Sequence, residues 1–231
     1  MEGSSDRNTG AGREGVLLVV SGPSGVGKGT VINRVLDDHP EVRRSVSCTT
    51  RTPRPGEADG DHYHFISVEE FVQRRDAGEF LEWASVYEGL YYGTPKSPVE
   101  EAIGQGKDII FEIDYQGARS VRTQMPGRAV LVFIAPPTWQ ALVDRLQGRQ
   151  TEHPEALAER IATARREIEN MGMFEYVLVN DEVEGTAAEL EAILVGERNR
   201  LGRVGYQTLR DRLLAEAAGA ASAAHDEAGR R

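Results

Sequence analysis

Gly22-Pro23-Ser24-Gly25-Val26-Gly27-Lys28-Gly29-Thr30 lies between the apolar run Val16-Leu17-Leu18-Val19-Val20 and the segment Val31-Ile32-Asn33-Arg34-Val35-Leu36. The arrangement predicts a strand, a glycine-rich turn and a helix, in that order. Such a turn presents successive backbone N–H groups and a helix N-terminus to one anion, and a lysine at its end can reach the outer phosphates of a nucleotide. Glycines allow the tight wrap that side chains would block. A glycine-rich turn with no ligand is the bland alternative, but four glycines, a lysine and a flanking strand and helix seldom coincide without a phosphate to hold. One position departs from the usual pattern. A Ser or Thr ordinarily follows the lysine and meets a magnesium ion, whereas here Gly29 does, with Thr30 one place later. That departure argues against direct hydroxyl ligation of Mg²⁺ and for water at that coordination position.

The chain of 231 residues suits one globular domain with inserted lobes, or at most two small domains. Its 39% apolar and 28% charged residues are ordinary for a soluble enzyme. No apolar run approaches the roughly 20 residues of a membrane helix. The opening MEGSSDRNTGAGREG has no apolar segment after its charges and does not read as a secretory signal. With Cys48 as the one cysteine an internal disulfide is excluded, so a reducing cytoplasm is the simplest location. A net charge of −10 argues against a general DNA or RNA binder, yet leaves room for a local cationic pocket that takes a small phosphorylated substrate. Residues 1–13, rich in Gly, Ser and charge, are expected to be disordered. Residues 200–231 form an Ala-rich extension whose stretch Leu209 to Ala221 is expected to be helical but to bury little, with docking on a neighbouring subunit as one use. The sequence leaves the choice between monomer and homo-oligomer open.

Between the tails, strand and helix signals alternate, which predicts an α/β fold with a parallel core sheet covered by helices on both faces. Strands are expected at 16–20, 108–113, 129–134 and 176–179, and helices at 28–38, about 115–124, 138–147, 154–171 and 185–197. Segment 45–94 breaks that rhythm with short strand-like pieces, Pro53, Pro55 and Gly56, and one helix signal at Ser67-Val68-Glu69-Glu70, where Ser67 fits an N-cap. It reads as an inserted lobe. A second insert, about 137–170, is expected to stand over the glycine-rich loop, and two closing flaps suit phosphoryl transfer because closure excludes water.

A second anion site is legible inside the first insert. Ser47-Cys48-Thr49-Thr50-Arg51-Thr52-Pro53-Arg54-Pro55-Gly56-Glu57 places two arginines three apart, with Tyr63 soon after. Guanidinium forks match phosphate with directed, paired hydrogen bonds, and the prolines beside Arg54 stiffen the backbone that carries them. Glu82 sits in the semi-apolar strand Glu79-Phe80-Leu81-Glu82-Trp83-Ala84. A carboxylate there can meet the N1–H and N2 amino donors of guanine together, a pair that adenine lacks, and hydroxyls at Ser47 and Thr94 can serve the O6 edge. A strand glutamate on a solvated face is the competing reading. Asp114, at the end of the strand 108–113, can touch the base or magnesium-bound water, and Glu112, two residues earlier, is the other candidate for the outer shell of the metal.

GPSGVGKGT, SVSCTTRTPRPGEADGDHYHF, EFLEWA, YYGTP, FEIDYQGA, RLQGR and VND follow one another in the order and spacing of the guanylate kinase family, which the chain resembles over about residues 15–198. The resemblance implies a phosphate-loop core (14–199) carrying a GMP-binding lobe and a lid, and transfer of the γ-phosphate of ATP to GMP, and by extension dGMP, with ATP and Mg²⁺ as cofactors. It assigns Lys28 and the backbone of 22–30 (Gly22, Pro23, Ser24, Gly25, Val26, Gly27, Gly29, Thr30) to the ATP phosphates. Arg51, Arg54, Tyr63 and Tyr92 fall to the GMP phosphate, and Ser47, Glu82, Thr94 and Asp114 to guanine. Arg149 and Arg160 resemble lid arginines that close on the transferring group, and Asn180 resembles a residue beside the adenine. Two other readings are a phosphopeptide-binding module on the same fold and a kinase of another small phosphorylated acceptor. The first sits poorly with the kept Lys28 and lid arginines, the second with Glu82 and Thr94.

Overall fold

The computed structural model describes residues 13–87, 89–148 and 154–228. Its central strand β1 (Leu17–Ser21) is buried along its whole length, which is why it reads as an unbroken apolar run. Alternate residues feed two cores. Leu18 and Val20 face a cluster with Val31, Ile32 and Val35 of α1 (Lys28–Asp38), while Leu17 and Val19 face Val99, Ile103, Ala118 and Val121 on the other side. Each such Val, Leu or Ile side chain, fully buried, contributes about 1.5–3 kcal/mol. The sheet runs β2 (Arg43–Arg44), β7 (Ile109–Glu112), β1, β8 (Ala129–Ala135), β9 (Tyr176–Val179), with every pairing parallel. The expected parallel sheet with helices on both faces is therefore present. The connections after β1, β7, β8 and β9 all emerge at the carboxyl ends of the strands, where open α/β sheets form their ligand crevice.

Only residues 45 and 46 separate β2 from β3 (Ser47–Thr49), so the chain passes from the core sheet into a second sheet almost at once. That sheet is mixed, in the order β4 (Tyr63–Phe65), β3, β6 (Leu90–Pro95), β5 (Phe80–Tyr87). It keeps a small core of its own. Phe71 on α2 (Val68–Asp76) stacks between Phe80 and Tyr91 at ring separations of 4.6 and 5.1 Å, with Cys48 buried beside it. Ser67 caps α2 as expected, its hydroxyl accepting from the N–H of Glu70 at 3.1 Å. The chain then returns to the core through α3 (Lys96–Gly104), β7 and α4 (Tyr115–Gln124).

Helices α5 (Trp139–Gln147) and α6 (Pro154–Glu169) occupy the second insert and send Leu142, Leu146 and Ala164 into the α1 core cluster, where α7 (Val183–Arg198) adds Leu190 and Leu194. At the edge of the core Asp108 is buried beneath three donors. Arg13 reaches its two oxygens at 2.7 and 2.9 Å, Arg198 reaches one at 2.7 Å, and the N–H of Val16 donates at 2.7 Å. The expectations for residues 1–12 and for the last three residues lie outside the described part. Helix α8 (Tyr206–Ala228) contains the stretch expected from Leu209 to Ala221, and its residues 206–219 are exposed. No helix among the described residues is long and apolar enough to cross a membrane.

Candidate active site

The loop after β1 wraps through left-handed glycines. Gly22 has φ 140°, and a Cβ there would lie 2.1 Å from the carbonyl oxygen of Ile134, so β8 itself forbids a side chain. Gly27 has φ 97° and caps α1, and a Cβ on it would meet the amide nitrogen of Asn180 at 2.6 Å. Lys28 turns back over the loop, donating to the carbonyl of Gly22 and, at 3.3 Å, to that of Pro23. Burial pushes its ammonium below the usual lysine range, against the opposing pull of Glu167, Glu112 and Asp114. Around Ser24, Gly25, Gly27, Lys28, Gly29 and Thr30 lies a hollow of about 260 Å³.

Residues distant in the chain hold this loop from behind. Asn180 is buried, donates from its side-chain amide to the carbonyl of Val26 at 2.6 Å, and accepts from the hydroxyl of Thr186 at 3.1 Å. Arg145 of α5 reaches the same Val26 carbonyl at 3.3 Å and that of Asn180 at 3.2 Å. From α6, Arg160 donates to the Ser24 hydroxyl at 2.9 Å. Glu167, two turns further along that helix, accepts from the Ser24 N–H. Its carboxyl is pushed up by burial, with Lys28 opposing.

Across the crevice, β5 and β6 pair Glu82 directly with Thr94. The Thr94 hydroxyl donates to Glu82 Oε1 at 2.6 Å and stands 3.1 Å from the Ser47 hydroxyl, so these three side chains form one hydrogen-bonded row. Glu82 is 8% exposed, and its pKa is raised above the usual carboxylate value, first by burial and further by the charge of Asp114, while Thr94 works the other way. Gly117 leaves room for it, since a Cβ there would come within 3.3 Å of Glu82 Oε2. Asp114 is the N-cap of α4 and accepts from the N–H of Gly117 at 2.8 Å. A cleft of about 820 Å³ has Lys28, Ser47, Tyr63, Thr94, Glu112 and Asp114 on its walls, so the glycine-rich loop and part of the guanine-type set face one space.

Arg51 lies over the rings of Tyr63 and Phe65 at 4.9 and 5.5 Å and is hydrogen-bonded to Tyr92. Tyr63 and Tyr92 meet edge to face at 5.8 Å. Both terminal guanidinium nitrogens of Arg51 pair with Glu57 at 2.6 Å, and the backbone N–H of Arg54 donates to Glu57 at 2.7 Å. The Arg54 side chain is exposed. Arg149 lies outside the described residues.

The family model for guanylate kinase matches residues 14–197. The chain belongs to the guanylate kinase family. A guanylate kinase of Symbiobacterium thermophilum is 53% identical over 192 residues, covering 83% of this chain and 90% of the relative. Another, of Rhodococcus jostii, is 50% identical over 185 residues, covering 80% and 89%. The crystal structure of a guanylate kinase from Anaplasma phagocytophilum superposes with a TM-score of 0.68 at 33% identity, over 85% of this chain and 94% of that one.

Four residues that sequence reasoning did not single out now stand in the site. Glu57 closes the arginine fork, Arg145 and Glu167 touch the glycine-rich loop, and Arg44 pairs with Glu112 at 3.0 Å. Glu57 was inside the arginine-rich stretch and Arg145 inside RLQGR, so each had a local signal. Glu167 and Arg44 had none.

Proposed function

We infer that this guanylate kinase transfers the γ-phosphate of ATP to GMP, giving ADP and GDP. The observation that carries the reading is the Ser47–Thr94–Glu82 row, whose members Ser47 and Thr94 line, with Asp114, the same cleft as Lys28. A carboxylate with two acceptor oxygens suits the adjacent donors of guanine, and adenine would bring an acceptor against it.

In this reading the phosphate of GMP is already an anionic nucleophile, so no strong general base is required. What remains is to align two negatively charged partners and to neutralise charge as the phosphoryl group moves. The backbone from Gly22 to Thr30 cradles the ATP phosphates with Lys28 beside them, and Asn180 with Arg145 keeps the loop in shape on the adenine side. Arg51, Arg54, Tyr63 and Tyr92 hold the acceptor phosphate. Arg149 and Arg160 close from the second insert, 137–170, as a lid over the core 14–199, and segment 45–94 acts as the GMP lobe.

Among the described residues no three His, Cys, Asp or Glu side chains gather to hold a metal ion by themselves. In this reading Mg²⁺ is carried by the ATP phosphates and water, and the hard carboxylate oxygens of Glu112 and Asp114, both on the cleft wall with Lys28, are the groups that would hold its waters. Bound there, Mg²⁺ would supply neutralisation of phosphate charge. The test is ADP formation from MgATP with GMP, dGMP, AMP, CMP and UMP offered separately. Turnover confined to GMP and dGMP is expected, and equal turnover of AMP would overturn the base-reading argument.

A further inference from the structure

Outside the active site, α8 is the helix that the fold leaves uncovered. Its Tyr206, Leu209, Leu213 and Leu214 are 37%, 44%, 52% and 62% exposed, whereas α1, α5 and α7 each bury Val, Ile or Leu in the core. A helix gains most of its stability by packing one apolar face, so 23 residues with exposed leucines call for a surface to lie on. The spacing of the residues shows what kind. Tyr206, Leu209 and Leu213 are followed by Ala217, Ala220 and Ala224, in repeating steps of three, four and four. At 3.6 residues per turn these positions share one face about 100° wide, and the eleven-residue period is one that paired helices use. The face is graded along its length. Its amino-terminal half is large, and from Ala217 onward it is alanine alone.

We propose that α8 is a dimerisation helix, which packs antiparallel on α8 of a second copy of this chain. Packing centred on Ala217 sets Leu213 of one copy against position 220 of the other and Leu209 against position 224. The two-fold axis then repeats both contacts. Large residues thus meet small ones along the whole contact, whereas a parallel pair would crowd the leucines and hold the alanines apart. Charge points the same way. The first half of α8 carries Arg210 and Arg212 against one acid, Asp211, and its end carries Asp226 and Glu227. Antiparallel pairing therefore joins halves of opposite sign at both ends of the contact. Arg212 and Glu227 lie on the same flank of the apolar face, and an antiparallel pair brings like flanks together. The contact is a single pair of helices, each about 34 Å long, so the dimer belongs with weak, reversible ones at a Kd on the order of 10 μM.

The experiment is sedimentation velocity of the full chain from about 1 to 200 μM, a range that brackets this Kd. Wild type is expected to pass from monomer to dimer across it. Leu209→Glu combined with Leu213→Glu should weaken the dimer at least about tenfold, the scale of losing interface anchors. Both positions are exposed and outside the phosphate-transfer site, so turnover and Tm should stay unchanged, which separates a lost contact from a lost fold. Charge reversal reads the direction. Arg212→Glu or Glu227→Arg alone should weaken the dimer about threefold, as for exposed ion pairs counted twice by symmetry. The two reversals in one chain should restore it to within about twofold of wild type, which a parallel pair would not do. Wild type that stays monomeric at the highest concentration overturns the proposal, whether α8 then frays or lies back on its own domain. A dimer unmoved by the leucine substitutions uses another surface and overturns it as well. Failure of the double reversal to restore association overturns the antiparallel arrangement. Sedimentation reads mass alone, so none of these outcomes depends on which acceptor the active site takes.

Discussion

Glu57 faces Arg51 through two parallel hydrogen bonds of 2.6 Å, while the same guanidinium lies over the Tyr63 ring at 4.9 Å. The Glu57 carboxyl is lowered to about 2, first by the Arg51 hydrogen bonds and next by the Arg54 N–H. The pair therefore stays charged at every working pH. It fixes the planar group in one orientation, which limits the freedom lost when a phosphate docks.

Breaking this fork should act on the acceptor alone. Glu57→Gln is expected to raise KM for GMP about twofold to fivefold, the range of an exposed ion pair, with kcat at saturation kept. KM for AMP as a poor acceptor should rise by the same factor, because phosphate is common to both. Steady-state kinetics with each nucleotide checks this, and a change confined to kcat would contradict it.

Base recognition should respond differently. Glu82→Gln replaces one acceptor by a donor and is expected to cost about 2–4 kcal/mol in kcat/KM for GMP, the scale of a hydrogen bond to a buried charged group. The GMP-over-AMP ratio should shrink in this variant and stay constant in Arg51→Ala. An unchanged ratio in Glu82→Gln would remove the residue from the base site.

The raised pKa of Glu82 has two opposite consequences. Guanine needs the carboxylate, so kcat/KM for GMP should fall on acidification at a pH above the ordinary glutamate range, a limb that Glu82→Gln lacks. Stability runs the other way. A carboxyl whose folded pKa exceeds its unfolded one binds more protons when folded, so its stabilising effect is complete below the unfolded value and lost as pH rises through the folded one. Glu82→Gln should thus raise Tm at neutral pH while damaging specificity, and a lowered Tm would speak against the burial argument.

The phosphate side should separate into binding and transfer. Lys28→Ala is expected to reduce kcat about a thousandfold or more with unchanged circular dichroism, as befits loss of a cation beside transferring charge. Arg160→Ala should lower kcat more than it weakens GMP binding, since Arg160 donates to Ser24 of the phosphate loop. Titration of GMP against each variant, set beside its turnover, distinguishes these outcomes.

Much of this architecture was legible because its signals are local. Val16 to Val20, the glycines and Val31 to Leu36 announce strand, loop and helix within about twenty residues. The partners Ser47, Glu82 and Thr94 could be named one by one from donor and acceptor chemistry and from the family resemblance. Their joining into a row depends on the β5–β6 register, which no single segment encodes. Arg145 and Val26 are 119 positions apart, and Arg44 and Glu112 are 68 apart. Arg145 at least lies in the RLQGR motif, whereas nothing near Arg44 in the sequence distinguishes it from a solvated surface charge, because its partner is delivered by folding. The expected end of the N-terminal tail at residue 13 reflects the same limit, since Arg13 joins Asp108 across 95 positions.

Asp108 provides the stability prediction. Burial works to raise its pKa, but the Arg13 hydrogen bonds, the Val16 N–H and Arg198 outweigh it and hold the carboxyl below the usual aspartate range. Its contribution is therefore present above the unfolded value and lost as pH falls through the lower folded one. Asp108→Asn leaves two guanidinium groups short of their shared anion and is expected to destabilise by about 3–5 kcal/mol, measured by urea unfolding at pH 7. A loss under 1 kcal/mol, well below the range for a broken buried pair, would count against it.

The same ionic knot sets an order on synthesis. Arg13 leaves the ribosome early, Asp108 midway and Arg198 close to the last residues of α7. A nascent chain stalled before residue 198 can lay down β1 and β7 but must shelter Asp108 with one of its two arginines still unmade. The seam between the beginning and the end of the domain therefore closes only once α7 has been made, and premature termination anywhere before that helix end leaves a core with an open electrostatic edge for quality-control proteases to find.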